Sequence, residues 1–186
     1  MTKKLEQALD NFIDQYRTIA EQQGGLWTEY DEQWPSNCVA HDVSDGEWVE
    51  WQPVKQENEI SFDNLSEALE VAIDPQLAGF FGRYFSDNLE ASTHKGKLTL
   101  LQVWSADDLE RLQQNLIGHV LMKRQLRQPI TLFFALTDEE DFIISIDNQT
   151  GEVVLEQVGK LPCEVLAANL AEFLAQLEPI PPAKPA

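Results

Sequence analysis

Leu5, Leu9, Phe12, Tyr16 and Ala20 recur every three or four positions among charged and amide residues. That period predicts an amphipathic helix over residues 3–22, stopped by Gly24-Gly25. Residues 26–60 lose the period. Within them only the alternation of Trp48 and Glu50 with Val49 and Trp51 predicts a strand, at Glu47–Gln52, with either face open to burial. Ser61 is placed to cap a helix bearing Phe62, Leu65, Leu69 and Ile73. Asp74-Pro75 has the chemistry of a cap and first helical position, and predicts another helix running through Phe80, Phe81 and Tyr84.

In the second half, Leu98–Val103 reads as a strand after a His94-Lys95-Gly96 turn. Ser105-Ala106-Asp107-Asp108 is a capping-box pattern opening a helix whose apolar row is Leu109, Leu112, Leu116 and Val120, flanked by Ile117 and Leu121. Pro129 ends that segment. Ile130–Leu136, Phe142–Ile146 and Glu152–Glu156, separated by polar turns, form a meander. Leu166, Leu170, Phe173, Leu174 and Leu177 predict a final helix before a proline-rich tail. The resulting order, three helices, a strand, a helix, three strands and a helix, indicates an α+β fold. Its sheet is mostly antiparallel, with room for a mixed pair, has about five to six strands, and is flanked by helices. One domain over 1–186 is expected: an acidic helical and loop front at 1–95, a sheet-rich back at 96–178 and a tail at 179–186.

Charge sharpens this picture. Of a net charge of −19 over 186 residues, −13 falls between Glu21 and Asp74, where fourteen acids meet one base, Lys55. The block also holds Trp27, Tyr30, Trp34, Trp48 and Trp51, which a purely solubilising tail would lack. Such a field favours a basic partner and opposes nucleic acid and anionic lipid. No run of about 18 apolar residues supports membrane insertion. The N-terminus lacks a signal-peptide core, so a cytoplasmic protein is expected, with Cys38 and Cys163 as reduced thiols and Asn148-Gln149-Thr150 as a plain turn.

Catalytic chemistry is hard to assemble. Cys38-Val39-Ala40-His41-Asp42 could supply thiolate, imidazole and carboxylate, but the surrounding acids would raise the thiol pKa. The same group lacks a repeated Cys or His ligand spacing, and neither Asp42–Glu50 nor Asp138–Asp147 follows a calcium-loop pattern. His94 reads as an exposed turn residue and His119 as a boundary position of its helix. Gly24-Gly25 and Gly79-Phe80-Phe81-Gly82 match no phosphate-binding loop. No catalytic residue, metal or cofactor is expected. Lys123, Arg124 and Arg127, at the end of the Ser105 helix, complement its macrodipole.

Binding is the better use of the acids. Asp63, Glu67 and Glu70 share one predicted helical stripe with no base to pair them, although each like-charge contact costs about 0.2–0.5 kcal/mol. Glu29, Asp31, Glu32, Asp42, Asp45 and Glu47 alternate with aromatic residues in the preceding loop. These nine are the candidate partner-binding residues.

The segment from Leu98-Thr99-Leu100-Leu101-Gln102-Val103-Trp104-Ser105-Ala106-Asp107-Asp108 through Gln114-Asn115-Leu116-Ile117-Gly118-His119 resembles the Syd family of SecY-interacting proteins. So do Trp48-Val49-Glu50-Trp51-Gln52-Pro53, the Gly151-Glu152-Val153 turn, and the ending Leu166 to Leu174. The resemblance implies a SUKH-like fold with a concave electronegative face and a non-enzymatic protein. It implies loose attachment to the cytoplasmic face of the inner membrane through SecY, whose basic loops such a face would suit, and a role in checking SecY assembly or restraining the translocase. A second reading, also from the SUKH-like fold, is an immunity-type inhibitor of a basic toxin nuclease; a third is a thiol enzyme on Cys38 and His41. The choice among delivery, inhibition and proofreading stays open, as do the SecY loop contacted and the oligomeric state.

Overall fold

The structure, a computed structural model, describes residues 2–40 and 43–186. Helix α1 (Thr2–Gln22) buries Leu5, Leu9, Phe12, Ile13, Tyr16 and Ala20, the predicted stripe and its neighbour. It ends where Gly25, at φ +93°, returns its N–H to the Ala20 carbonyl at 2.8 Å. That left-handed backbone is why glycine stands there.

The region expected to be largely irregular contains two short ribbons. Strands β1 (Trp27–Glu29) and β2 (Trp48–Glu50) pair antiparallel, as do β3 (Val54–Lys55) and β4 (Tyr84–Phe85). Val49 and Trp51 take the buried side, leaving Trp48 exposed. Between β3 and β4 the chain forms α2 (Asp63–Leu69) and α3 (Pro75–Phe81). Ser61 Oγ accepts from the Asp63 N–H at 3.0 Å, and Asp74 caps α3 by accepting from Gln76 N–H at 2.9 Å. Helix α3 stops before Tyr84, which belongs to β4.

The main sheet has seven strands, more than the five to six expected, and every neighbouring pair is antiparallel. They are β5 (Leu89–Thr93), β6 (Gly96–Leu100), β7 (Thr131–Thr137), β8 (Phe142–Asp147), β9 (Val153–Gln157), β10 (Pro162–Ala167) and β11 (Glu178–Pro179), in the order β10-β9-β8-β7-β6-β5-β11. Helix α4 (Ala106–Gln125) precedes β7, and α5 (Leu170–Ala175) lies between β10 and β11. The last helix is therefore shorter than its apolar spacing suggests. Leu166 lies within β10, and Asn169 caps α5 by accepting from Glu172 N–H at 2.9 Å. The tail is not helical, but Pro179 pairs with Ala91 and Pro181 is buried.

Helices cover both faces of the sheet. On one, His119 of α4 meets the ring of Phe133 edge-on, with centroids 5.3 Å apart. On the other, Phe134 makes edge-to-face contacts with Phe80 of α3 and Phe173 of α5 at 5.4 and 5.7 Å. Helix α1 packs outside α3 and α5. One apolar core runs from Leu5 to Leu177, so residues from the acidic front and the sheet-rich back bury each other.

A polar clamp fixes α1 to the β3–β4 ribbon. Arg83 grips Asp10 with two bonds, Nε to Oδ1 at 3.0 Å and Nη2 to Oδ2 at 2.6 Å. Tyr84 O–H donates to Asp10 Oδ1 at 2.6 Å, and Lys55 Nζ lies 3.4 Å away. The Arg83 bonds are the main reason the Asp10 carboxyl titrates at about 2 rather than 3.8, with Tyr84 and Lys55 adding to them against partial desolvation. A depressed carboxylate stabilises the fold above its unfolded pKa, and the contribution disappears as pH falls through the folded one. After discounting for solvent screening, Asp10→Asn is expected to cost about 1–2 kcal/mol at pH 7. Urea melts should show that difference shrinking from about pH 4 towards pH 2.

Candidate functional site

Three separate segments converge on a cleft of about 220 Å³. The β1 ribbon and following turn bring Thr28, Glu29, Tyr30, Asp31 and Trp34. The loop between β4 and β5 brings Asp87. The start of α4 brings Trp104, Asp108 and Arg111. Four carboxylates therefore share one concavity with three aromatic side chains.

Each is held by local chemistry. Ser105 caps α4 by accepting from Asp108 N–H at 3.3 Å, while Asp108 Oδ2 accepts from Trp104 N–H at 2.9 Å. This reciprocal arrangement satisfies donors at the helix start and fixes the Asp108 side chain. Trp104 lies edge-on to Trp51 at 5.8 Å, accepts from Ser36 Oγ at its carbonyl at 2.6 Å, and donates its indole N–H to the Trp34 carbonyl at 3.1 Å. Asp31 Oδ1 accepts from Gln33 N–H at 2.8 Å, bending the chain so that Trp34 returns over the cleft. Arg111 from α4 then places its guanidinium 4.3 Å from the Trp34 ring centroid. A cation stacked on an aromatic face beside carboxylates is the chemistry a basic side chain from a partner would find here.

Asp87 stays exposed on the wall of the cleft, and its carboxyl pKa is raised. Desolvation by the concave surroundings pushes its pKa up, against the 2.8 Å bond from Asn88 N–H; Asp108 and Glu90 push it further up. A bound cation would relieve that penalty.

The eight candidate acids among the described residues do not form one surface. Glu29 and Asp31 line the cleft. Glu32, Asp45 and Glu47 are exposed beside it and spend part of their capacity on the loop itself: Asp45 Oδ1 accepts from Glu32 N–H at 3.0 Å, and Glu47 Oε2 from Ser44 N–H at 3.3 Å. Asp42 lies outside the described residues, as does His41. The helical stripe is corrected. Asp63 and Glu67 are in α2, but Glu70 has left the helix as its left-handed C-cap at φ 52°. These three sit elsewhere, because α2 packs on the far part of α4, where Arg124 donates to the Leu69 carbonyl. Arg124 is thirteen residues beyond Arg111, or about 20 Å along the helix.

Asp87, Trp104 and Asp108 were missed as site residues. Asp108 was legible only as a capping acid, and nothing local marks Asp87.

Two other expectations meet the structure here. Cys38 is buried, and that burial pushes its thiol up to about 11, far from a nucleophilic thiolate. Lys123 is not a surface cation of the helix end. It is fully buried and bonded to Glu156 at 2.9 Å. Among the described residues no group of three His, Cys, Asp or Glu side chains is arranged to hold a metal ion, and no helix is long and apolar enough to cross a membrane.

Comparison with known proteins agrees with the fold. Residues 6–179 match the family model described as Syd protein (SUKH-2). Protein Syd of Pseudoalteromonas atlantica is 50% identical over 182 residues, covering 96% of this chain and 98% of that protein. Protein Syd of Alteromonas mediterranea is 48% identical over 180 residues, covering 97% and 99%. Protein Syd of Hahella chejuensis is 37% identical over 181 residues, covering 96% and 94%. With a family match across nearly the whole chain and relatives aligned end to end, this chain belongs to the Syd family.

Proposed function

We propose that the protein is a non-enzymatic binding module that docks on the basic cytoplasmic loops of SecY, at the cytoplasmic face of the inner membrane, and there monitors or restrains the translocase. The observation that carries this reading is the cleft, in which Glu29, Asp31, Asp87 and Asp108 surround aromatic faces already stacked by one guanidinium. Lys- and Arg-rich loops are characteristic of cytoplasmic membrane-protein surfaces. The remaining acids, including Asp63, Glu67 and Glu70, extend the negative field that steers such a loop to the protein.

The test is binding to purified SecY-containing translocon in detergent or nanodiscs. Asp31→Lys combined with Asp87→Lys should weaken affinity at least about tenfold, with the melting temperature little changed. Raising salt should weaken wild-type binding steeply, because the Debye length is about 8 Å at physiological ionic strength. Affinity should also fall as the solution is acidified. A carboxylate whose free pKa is raised, as at Asp87, loses its charge earlier than an ordinary Asp and then no longer attracts the loop. The triple reversal of Asp63, Glu67 and Glu70 to Lys separates the surfaces. If it abolishes binding while the cleft variant binds normally, the contact lies on α2 and the cleft is not the site.

A further inference from the structure

A second concavity of about 160 Å³ lies on the α5 side of the main sheet and shares no lining residue with the acidic cleft. Its walls are apolar. Leu98 of β6, Ile144 of β8, Leu155 of β9 and Phe173 of α5 line it, with Phe142 and Leu166 at its ends. The strand register places Leu98, Ile144 and Leu155 on one face of the sheet. An interior hole of about 150 Å³ with Leu, Ile and Phe walls accepts a benzene-sized molecule, so this volume suits a compact group of roughly six carbons.

The mouth is polar and carries both signs. Lys95 stands on the turn joining β5 to β6 and Lys97 near the start of β6, while Asp138 and Glu139 follow the end of β7. Lys95 also reaches across to an ion pair with Glu164 of β10. Four strand spacings separate β6 from β10, about 19 Å in a flat sheet, so this bond exists because the sheet coils over the cavity. The pair makes a strap beside the opening.

A simple anion would face Asp138, Glu139 and the field of a net −19 chain; a simple cation would face Lys95 and Lys97. A dipolar head is free of both penalties, with its carboxylate toward the lysines and its ammonium toward the acids. We infer that this cavity binds a free hydrophobic α-amino acid, its side chain among Leu98, Ile144, Leu155 and Phe173 and its zwitterionic head at the charged mouth.

The experiment is a titration of the ¹⁵N-labelled full chain, followed by amide shifts, with L-phenylalanine, phenylacetate, phenethylamine and benzene as probes. L-Phenylalanine should give saturable shifts around Leu98, Ile144, Leu155 and Gln176 in the millimolar range, a range ordinary for so small a ligand. Phenylacetate and phenethylamine should each bind about tenfold more weakly. Asp138→Lys, on an exposed turn, should reduce L-phenylalanine binding while sparing benzene. Val165→Trp, at a half-exposed position on the rim, should abolish both without disturbing the binding of SecY. Equal binding of all four probes would overturn the assignment of an amino acid. No shift with any of them would overturn the cavity as a ligand site.

Discussion

Replacing Lys123 with methionine is expected to lower the free energy of unfolding by about 3–5 kcal/mol, and adding Glu156→Leu should restore most of that loss. Both side chains are wholly buried and meet at 2.9 Å. Among the described residues the ammonium makes one further bond, to the Lys160 carbonyl at 3.1 Å, while Glu156 Oε2 has no partner. Removing the lysine alone leaves a buried carboxylate with nothing to compensate it, which is the costly change. Removing both charges in favour of similar apolar volume is close to neutral in comparable buried pairs. The penalty of the single variant is therefore the cost of an orphaned charge, not the strength of the pair. Denaturant unfolding of the two single variants and the double variant measures it directly. His119 offers an independent readout. Burial depresses its pKa, with Glu156 pulling it up and Lys123 pushing it down, so it should titrate higher in Lys123→Met than in the wild type.

Phe134→Ala should cost about 3–5 kcal/mol without altering the acidic cleft. Phe134 is fully buried at the centre of β7, where its ring is the meeting point of α3 and α5 through Phe80 and Phe173. Truncation removes two edge-to-face contacts and leaves a hole between three elements that the strand register prevents from collapsing. Phe133→Ala is the control on the other face. Its ring is only half-buried and meets His119, so a smaller loss is expected. Equal losses in thermal unfolding would mean that the two helical layers contribute equally, against the burial seen here.

How much of this was legible in the chain depended on the range of the physics involved. Helix α1, the Ser105 helix and the three-strand meander follow from local period and capping, and the structure has them. The same apolar spacing that marks helices misleads at Leu166, which lies in a strand. There Asn169 was the better signal, because a cap fixes where a helix can begin. Strand β5 escaped notice because only Leu89 and Ala91 point inward in a five-residue segment otherwise polar. The cleft was half visible. Glu29 and Asp31 stood out by charge density, whereas Asp87, Trp104 and Asp108 reach them only through tertiary packing. The buried ion pair was hidden for the same reason, since Lys123 also fits the charge preference of a helix end.

The two margins of the sheet restrict the kind of recognition open to this protein. One is closed by β11, a two-residue strand in which Pro179 has no N–H to donate. The other, β10, begins with Pro162 and is broken by two register shifts against β9. Neither presents a regular row of free amides and carbonyls onto which an extended peptide could zip. Under the docking proposed above, the SecY loop is then read through side chains and field rather than by pairing with the main sheet. If the proposed docking holds, that loop can drift in sequence provided its positive charge is kept.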